Sequence, residues 1–351
     1  MQKILFTGGG SAGHVVPNIA LIEQLLSDGK TAVCYMGTEG IEKRIIAEWK
    51  IPYYTIKCPK LIRNGGWQGL KNNLSIPVAF HRAVQQAKEG LRAFQPTAVF
   101  SKGGYVALPV LYAAKTMGIA CFAHESDFSP GLANRLSAPW CKRVFTSFPE
   151  TAKKFKRGVY SGAPIKRSLL TASRAEARLR MGIGFDEKVL LVFGGGSGSA
   201  SINQALRQHI KTLTEQFVIL HVCGAGNTVD SNLKNYHQFE FISDMGMLYA
   251  SADAVVARAG SGTVFEILAL KKPTLLIPLE GQTRGDQKEN ARYFAQKGLC
   301  HVLTQSQLHR LTEEIQALFL DEGLRLRLRD SSFVSGNESI LCALQQEQNR
   351  G

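Results

Sequence analysis

Short apolar, strand-forming runs alternate with helix-length amphipathic segments from one end of this chain to the other. The pattern predicts strands over residues 3–7, 32–36, 98–101, 121–124 and 144–147. A second series is expected at 189–193, 218–223, 239–242, 254–257 and 274–278. Between them, helices are expected over 17–28, 41–48, 108–117, 202–214 and 262–270. Alternation of this kind builds parallel sheets with helices on both faces, so the fold class is α/β.

The chain also repeats itself loosely. KILFTGGGSAG at 3–13 and VLLVFGGGSGSAS at 189–201 each give an apolar strand, three glycines, a serine and then a helix. Two copies 186 residues apart indicate two doubly wound domains in tandem. We place the first over 1–162 and the second over 163–325. Residues 326–351 form a polar helical tail that can pack back on the first domain.

The glycine loops carry the first chemistry. Gly8, Gly10 and Gly13 satisfy GxGxxG directly after a strand and before a helix, where backbone N–H groups and the helix dipole hold a phosphate. A dinucleotide site would also need an acid at the end of the second strand, and YMGTEG offers only Glu39, late and in a loop. An anion cradle is therefore favoured over a nicotinamide or flavin site. His14 at its mouth is a candidate base or phosphate ligand. KGGY at 102–105 and HESD at 124–127 follow two further strands, whose loops gather at the same open sheet edge. In the second domain, RAGSGTVFE at 258–266 places Glu266 on a helix just past a glycine turn, suited to a ribose diol or merely to helix capping. RGDQKENA at 284–291 clusters sugar-binding side chains.

Charge sharpens this picture. The net charge is +14, but residues 1–160 hold 21 Lys+Arg against 9 Asp+Glu, while the remainder holds 21 against 19. No acid occurs between Glu48 and Glu89, an interval with seven basic residues and with Trp67, Leu70, Leu74, Ile76, Val78 and Phe80. A basic surface around apolar residues suits an anionic membrane; a solvated face over an ordinary amphipathic helix is the plainer reading. No nucleic-acid signature accompanies the charge. Seven scattered cysteines without a CxxC pair, and an N-terminus that enters a strand at once, point to a reduced cytoplasmic protein without a signal peptide. DxD, HExxH, GxSxG and P-loop motifs are missing, so neither a metal-bridged donor site nor a cofactor is expected.

Taken in order, GGGSAGHVVPN, GTEGIEKRII, KGGYVALPV, HESDFSPGLANR, GAPIKR, FGGGSGSASIN, FISDM, RAGSGTVFEI and RGDQKENA resemble the MurG family. These are the UDP-N-acetylglucosamine:lipid I N-acetylglucosaminyltransferases of peptidoglycan synthesis. The resemblance implies a GT-B fold, two Rossmann-like doubly wound domains separated by a cleft. It implies metal-independent, inverting transfer of GlcNAc from UDP-GlcNAc to the MurNAc C4 hydroxyl of lipid I, forming lipid II. It also implies a peripheral protein of the cytoplasmic face of the bacterial cell membrane, with a possible place in a cell-wall synthesis complex; the charge pattern makes 49–88 the expected docking region.

Carried over by position, Glu266 should hold the ribose hydroxyls and the backbone at Ile242 the uracil. Asp286, Gln287 and Asn290 fall where the family holds the sugar, and Arg258 lies beside the donor. Lys166, Gly196, Ser197, Gly260 and Thr263 complete the donor set. Gly10, Ser11, Ala12, Gly13 and His14, with Gly103, Gly104 and Tyr105, should face the acceptor diphosphate, and Glu125 and Asn134 line the same cleft. His14 is the first candidate for the catalytic base and Glu125 the second. Many members read HEQN, GNPVR and GGSxGA where this chain has HESD, GAPIK and GGGSGSA, so Ser126, Asp127, Ala163, Lys166 and Gly196 depart from the pattern. Asp286 replaces an amide and can accept from a sugar hydroxyl but not donate. Lys166 lacks the bidentate fork of arginine.

Overall fold

Continuous apolar runs become strands buried on both faces, as parallel sheets require. The computed structural model describes residues 1–59, 76–196, 198–242, 244–281 and 286–347. They fall into two compact units, Met1–Lys166 together with Val334–Gly351, and Arg167–Phe333.

In the first unit, β1 (Gln2–Thr7), β2 (Thr31–Gly37), β3 (Tyr53–Thr55), β4 (Ala98–Ser101), β5 (Ala120–Glu125), β6 (Arg143–Thr146) and β7 (Gly158–Tyr160) form one parallel sheet. Its order is β3-β2-β1-β4-β5-β6-β7. Side chains alternate across it with a period of two. Ile4 and Phe6 of β1 enter one apolar cluster with Val33, Tyr35, Phe100, Phe122 and Phe145; Leu5 enters the other with Cys34, Met36, Val99 and Cys121. Helices α1 (Val16–Ser27), α2 (Ile41–Ala47), α3 (Ile76–Phe94), α4 (Ala107–Thr116), α5 (Leu132–Ser137) and α6 (Pro149–Ala152) connect the strands. Helix α3 is amphipathic and seats Val84, Ala87, Leu91 and Phe94 in the second cluster.

In the second unit, β8 (Val189–Phe193), β9 (Val218–Val222), β10 (Tyr236–Phe239), β11 (Ala254–Ala257), β12 (Thr274–Leu276) and β13 (His301–Val302) give a parallel sheet ordered β10-β9-β8-β11-β12-β13. Its helices are α7 (Arg167–Thr171), α8 (Arg174–Met181), α9 (Ala200–Gln208), α10 (Ile210–Thr214), α11 (Met245–Ser251), α12 (Ser261–Ala269), α13 (Asp286–Gln296), α14 (Leu311–Leu320) and α15 (Glu322–Asp330).

The chain then returns to the first unit as α16 (Asn337–Gln345). Ile340, Ala343 and Leu344 of α16 are buried in the β1-side cluster, and Gln2 Nε2 donates to Leu344 O at 2.6 Å. Where the chain leaves and re-enters this unit, Ala163 bridges Ser335 in parallel. The Asn337 amide accepts from Ile165 N at 2.9 Å and donates to Ile165 O at 2.8 Å. The units therefore divide at 166/167 and 333/334, whereas 162/163 and 325/326 were expected from sequence.

Other differences are local. The segment expected as one helix over 202–214 is two, broken at His209, whose φ of −117° leaves the helical region. The strand expected over 239–242 lies three residues earlier, at Tyr236–Phe239, where it pairs with β9. Strands β3, β7 and β13 were not foreseen.

Candidate active site

Both sheets reverse their strand order beside the first strand of the unit, between β1 and β4 and between β8 and β11. Loops leaving the carboxyl ends of strands at such a switch point form a crevice for ligands.

At the first switch point two glycine turns touch. Gly8, Gly10, Gly103 and Gly104 all have positive φ. A Cβ on Gly104 would lie 2.3 Å from Gly9 O, and one on Gly10 would lie 2.8 Å from the Tyr105 ring. Only glycine lets the loops after β1 and β4 approach this closely. His14 closes the first loop: its Nδ1 lies 3.1 Å from Gly9 O and 3.2 Å from Ser11 Oγ. A carbonyl can only accept, so Nδ1 carries the proton and Nε2 is the basic nitrogen of the neutral ring.

Buried polar groups hold this loop from behind. The Glu42 carboxylate accepts from Gly10 N at 3.3 Å and Thr38 N at 3.0 Å, tying the loops after β1 and β2 together. Asn18 Nδ2 donates to Thr7 O and to Tyr35 Oη, and Tyr35 Oη donates to Gly8 O at 2.7 Å.

The loop after β5 is organised by Glu125, which is 4% exposed. Its Oε1 accepts from Asp127 N at 3.0 Å; its Oε2 accepts from Gly131 N at 2.7 Å and Asn134 Nδ2 at 2.9 Å. Burial, followed by the nearby Asp127 charge, pushes the Glu125 carboxyl above the usual range, while the three donors oppose this. His124, one residue earlier, is fully buried and bonded through Nε2 to Gly162 O at 3.0 Å. Desolvation, then the Lys102 charge, keeps it well below the ordinary histidine value, so it stays neutral.

At the second switch point Arg258 is a hub, 8% exposed. Its Nη1 donates to Ile277 O and Pro278 O. Its Nη2 donates to Ser199 Oγ and Ser201 Oγ at 2.8 Å each, and to Gln305 Oε1 at 3.3 Å. The loops after β8, β11 and β12 are thereby fixed to one another. Ser199 caps α9 and Gly260 begins α12, so two helix N-termini open beside Gly194, Gly195 and Gly196. Glu266 lies half-buried on α12, and the fully buried Tyr249 donates to its Oε2 at 3.2 Å. Gln287 Oε1 accepts from Leu279 N at 2.9 Å, and the buried Asn290 donates to Ala259 O at 3.3 Å.

Residues 4–146 match the glycosyltransferase family 28 N-terminal domain and residues 189–338 the glycosyltransferase family 28 C-terminal domain. A Clostridium kluyveri protein named UDP-N-acetylglucosamine–N-acetylmuramyl-(pentapeptide) pyrophosphoryl-undecaprenol N-acetylglucosamine transferase is 41% identical over 357 residues, covering 100% of this chain and 98% of that protein. A Clostridium botulinum protein of the same name is 41% identical over 340 residues, covering 95% and 94%. The chain belongs to the MurG family. The crystal structure of Acinetobacter baumannii MurG matches with a TM-score of 0.76 at 25% identity, over 99% of this chain and 100% of that one. The chain is thus a glycosyltransferase with the GT-B fold.

Against the MurG-family positions, the first-unit residues Gly10–His14, Gly103–Tyr105, Glu125 and Asn134 gather at one switch point. So do Gly196, Arg258, Gly260, Thr263 and Glu266 at the other. Ile242 lies in the loop after β10, half-buried beside the exposed Phe241. Asp286, Gln287 and Asn290 occupy the first turns of α13. Ser197 lies outside the described residues. Lys166 differs from the rest of the donor set: it is the last residue of the first unit, and its ammonium lies 6.0 Å from the Trp49 ring centroid. Glu42, Lys102, Tyr249 and the pair Ser199–Ser201 were missed as site residues, though GTEGIEK and KGGY contain the first two.

Proposed function

We propose that this chain transfers GlcNAc, with inversion, from UDP-GlcNAc to the MurNAc C4 hydroxyl of lipid I, forming lipid II. The observation that carries this reading is the match along essentially the whole chain to relatives whose name specifies that donor, that acceptor and the sugar transferred. The sites agree in chemistry. In the second unit, Glu266, oriented by Tyr249, suits a ribose diol. The N-termini of α9 and α12 with their glycines suit a leaving diphosphate, stabilised by backbone N–H groups and dipoles. In the first unit Glu39 is exposed and paired with Lys43 at 2.7 Å, which disfavours a dinucleotide ribose there.

His14 is the better base. Its Nε2 is the nitrogen able to take the acceptor's proton, a role worth about 10²–10⁴-fold. Glu125 has both oxygens committed to the loop it holds, so it positions that loop. The acceptor's diphosphate would lie on the glycine turns at 8–13 and 103–105.

Membrane docking belongs to the same reading, at the cytoplasmic face of the cell membrane. Among the described residues no helix is long and apolar enough to cross a membrane. Phe80, Tyr112 and Trp140 form an aromatic row with centroids 6.2 and 5.3 Å apart, Phe80 and Trp140 resting against the core; Val78 on the helix of Phe80, and Leu132 and Leu136 on α5, are exposed. Arg82, Arg135 and Lys142 are exposed near them in sequence. Within the expected docking region 49–88, Trp49, Ile51, Tyr54 and Ile56 pack into or against the core, and residues 60–75, with Lys60, Arg63 and Lys71, lie outside the described residues.

The test is incubation with labelled UDP-GlcNAc and a short-chain lipid I analogue. UDP release coupled to a disaccharide product is expected; acceptor-independent UDP release or no product would refute the reading. Salt-sensitive binding to anionic vesicles, weakened by reversing Arg82 and Arg135, tests the docking surface.

A further inference from the structure

Lys102, the residue before the second glycine turn, is 2% exposed yet carries an ammonium group. Its backbone N–H donates to Thr7 O at 3.0 Å, its Cβ packs 3.2 Å from where a Gly8 Cβ would stand, and its Nζ donates to Ser126 Oγ. One residue thus touches the ends of β1, β4 and β5 at the switch point. A buried cation usually carries a carboxylate partner, because desolvation is costly. Here its ammonium donates to a neutral hydroxyl, and the carboxylates whose charges act on it, Glu125 and Asp127, end β5 and stand in the loop after it. Glu125 is itself engaged by three N–H donors.

We infer that Lys102 supplies, from beneath the two glycine turns, a buried positive charge that holds the acceptor's diphosphate. It acts through its field rather than by contact, in a region where low dielectric strengthens such effects. The inference rests on reading the first unit as the acceptor unit. Burial pulls the ammonium down to about 8, only partly opposed by Glu125 and Asp127. The same charge helps to keep the neighbouring His124 neutral.

The experiment compares wild type, Lys102→Met and Ser126→Ala with UDP-GlcNAc and a short-chain lipid I analogue. Lys102→Met should raise the acceptor KM at least tenfold while the KM for UDP-GlcNAc stays within twofold. Ser126→Ala, which keeps the charge and removes only the hydrogen bond, should leave the acceptor KM within threefold of wild type. Inhibition by inorganic pyrophosphate competing with the acceptor should weaken in Lys102→Met alone. An unchanged acceptor KM in a folded Lys102→Met protein overturns the inference, and so does a Ser126→Ala defect equal to that of Lys102→Met, which would make Lys102 a loop clamp. Should Lys102→Met fail to fold, Lys102→Gln is measured in the same way. Absence of turnover by wild type overturns the acceptor reading and this inference with it.

Discussion

The contact between the two glycine turns of the first unit can be tested by one methyl group. Gly104 has a φ of +82°, and a Cβ there would stand 2.3 Å from Gly9 O. Reaching even 3.0 Å requires the turns to part by about 0.7 Å, since the obstacle is backbone and cannot swing aside. Forcing alanine into left-handed geometry costs about 1–2 kcal/mol. Overpacking adds about 1–3 kcal/mol. Gly104→Ala should therefore destabilise the first unit by about 2–5 kcal/mol. Gly118→Ala is the internal control: its φ is +75° but nothing lies within 4 Å, so only the conformational cost of about 1–2 kcal/mol remains. At about 2–4 °C per kcal/mol, calorimetry should place the Gly104→Ala transition several degrees below that of the control. Because Gly9 O is also a partner of His14 Nδ1, Gly104→Ala should raise the acceptor KM and lower kcat. The KM for UDP-GlcNAc should stay unchanged. If the two variants melt together and share wild-type acceptor kinetics, the loop contact is not what requires glycine.

Three further outcomes are expected. Glu266→Ala should raise the KM for UDP-GlcNAc by about 10–100-fold, as loss of a charged hydrogen bond costs about 1.5–3 kcal/mol; a normal donor KM would remove Glu266 from the ribose. Arg178, fully buried, donates to Ser251 O, Gly184 O, Phe185 O, Glu187 O and Asp253. Arg178→Met should lower the second unit's stability by about 3–5 kcal/mol while leaving the first unit's calorimetric transition in place. Lys102 has a folded value of about 8 against 10.5 ordinarily, so between those limits the unfolded chain holds a proton that the folded chain has lost. Stability therefore rises with pH across that window, by on the order of 3 kcal/mol, as the cost of the buried charge is relieved. Lys272, drawn down to about 8 by its own burial, contributes alike to both proteins, so the Lys102 contribution is read as the difference between wild type and Lys102→Met in denaturant titrations from pH 7 to 10.5, which should grow across that window.

The central strands and the glycine turns were legible because a strand buried on both faces leaves an unbroken apolar run, and a turn needing positive φ leaves glycine. Three of the four edge strands were not: β3 and β7 are three residues long and β13 only two, too short for any period. The break at His209 was likewise invisible, since IKTLT continues a plausible helix. Tertiary partners were hidden for a different reason. Glu42 reads as one charge among several in IEKRIIA, and only the packing of β1 beside β2 brings its carboxylate to Gly10. Lys102 stands in a quoted motif, yet its partner Ser126 comes from the loop after the next strand of the sheet. The Arg258 guanidinium, expected beside the donor, spends its hydrogen bonds on Ser199, Ser201, Gln305 and two carbonyls. It acts as a bracket between loops that are distant in sequence.

The Asn337 clamp and the Ala163–Ser335 bridge make the first unit a split module, with the whole of 167–333 inserted into it like a long loop. Deleting 167–333 and joining the flanks with a short glycine linker should yield a free-standing acceptor-side module. Stopping the chain at 333 should not, because it removes Ile340, Ala343 and Leu344 from the β1-side cluster and uncovers part of it. The shorter product of the two thus retains the complete core. A synthetic peptide spanning α16, supplied in trans, should restore the truncated protein.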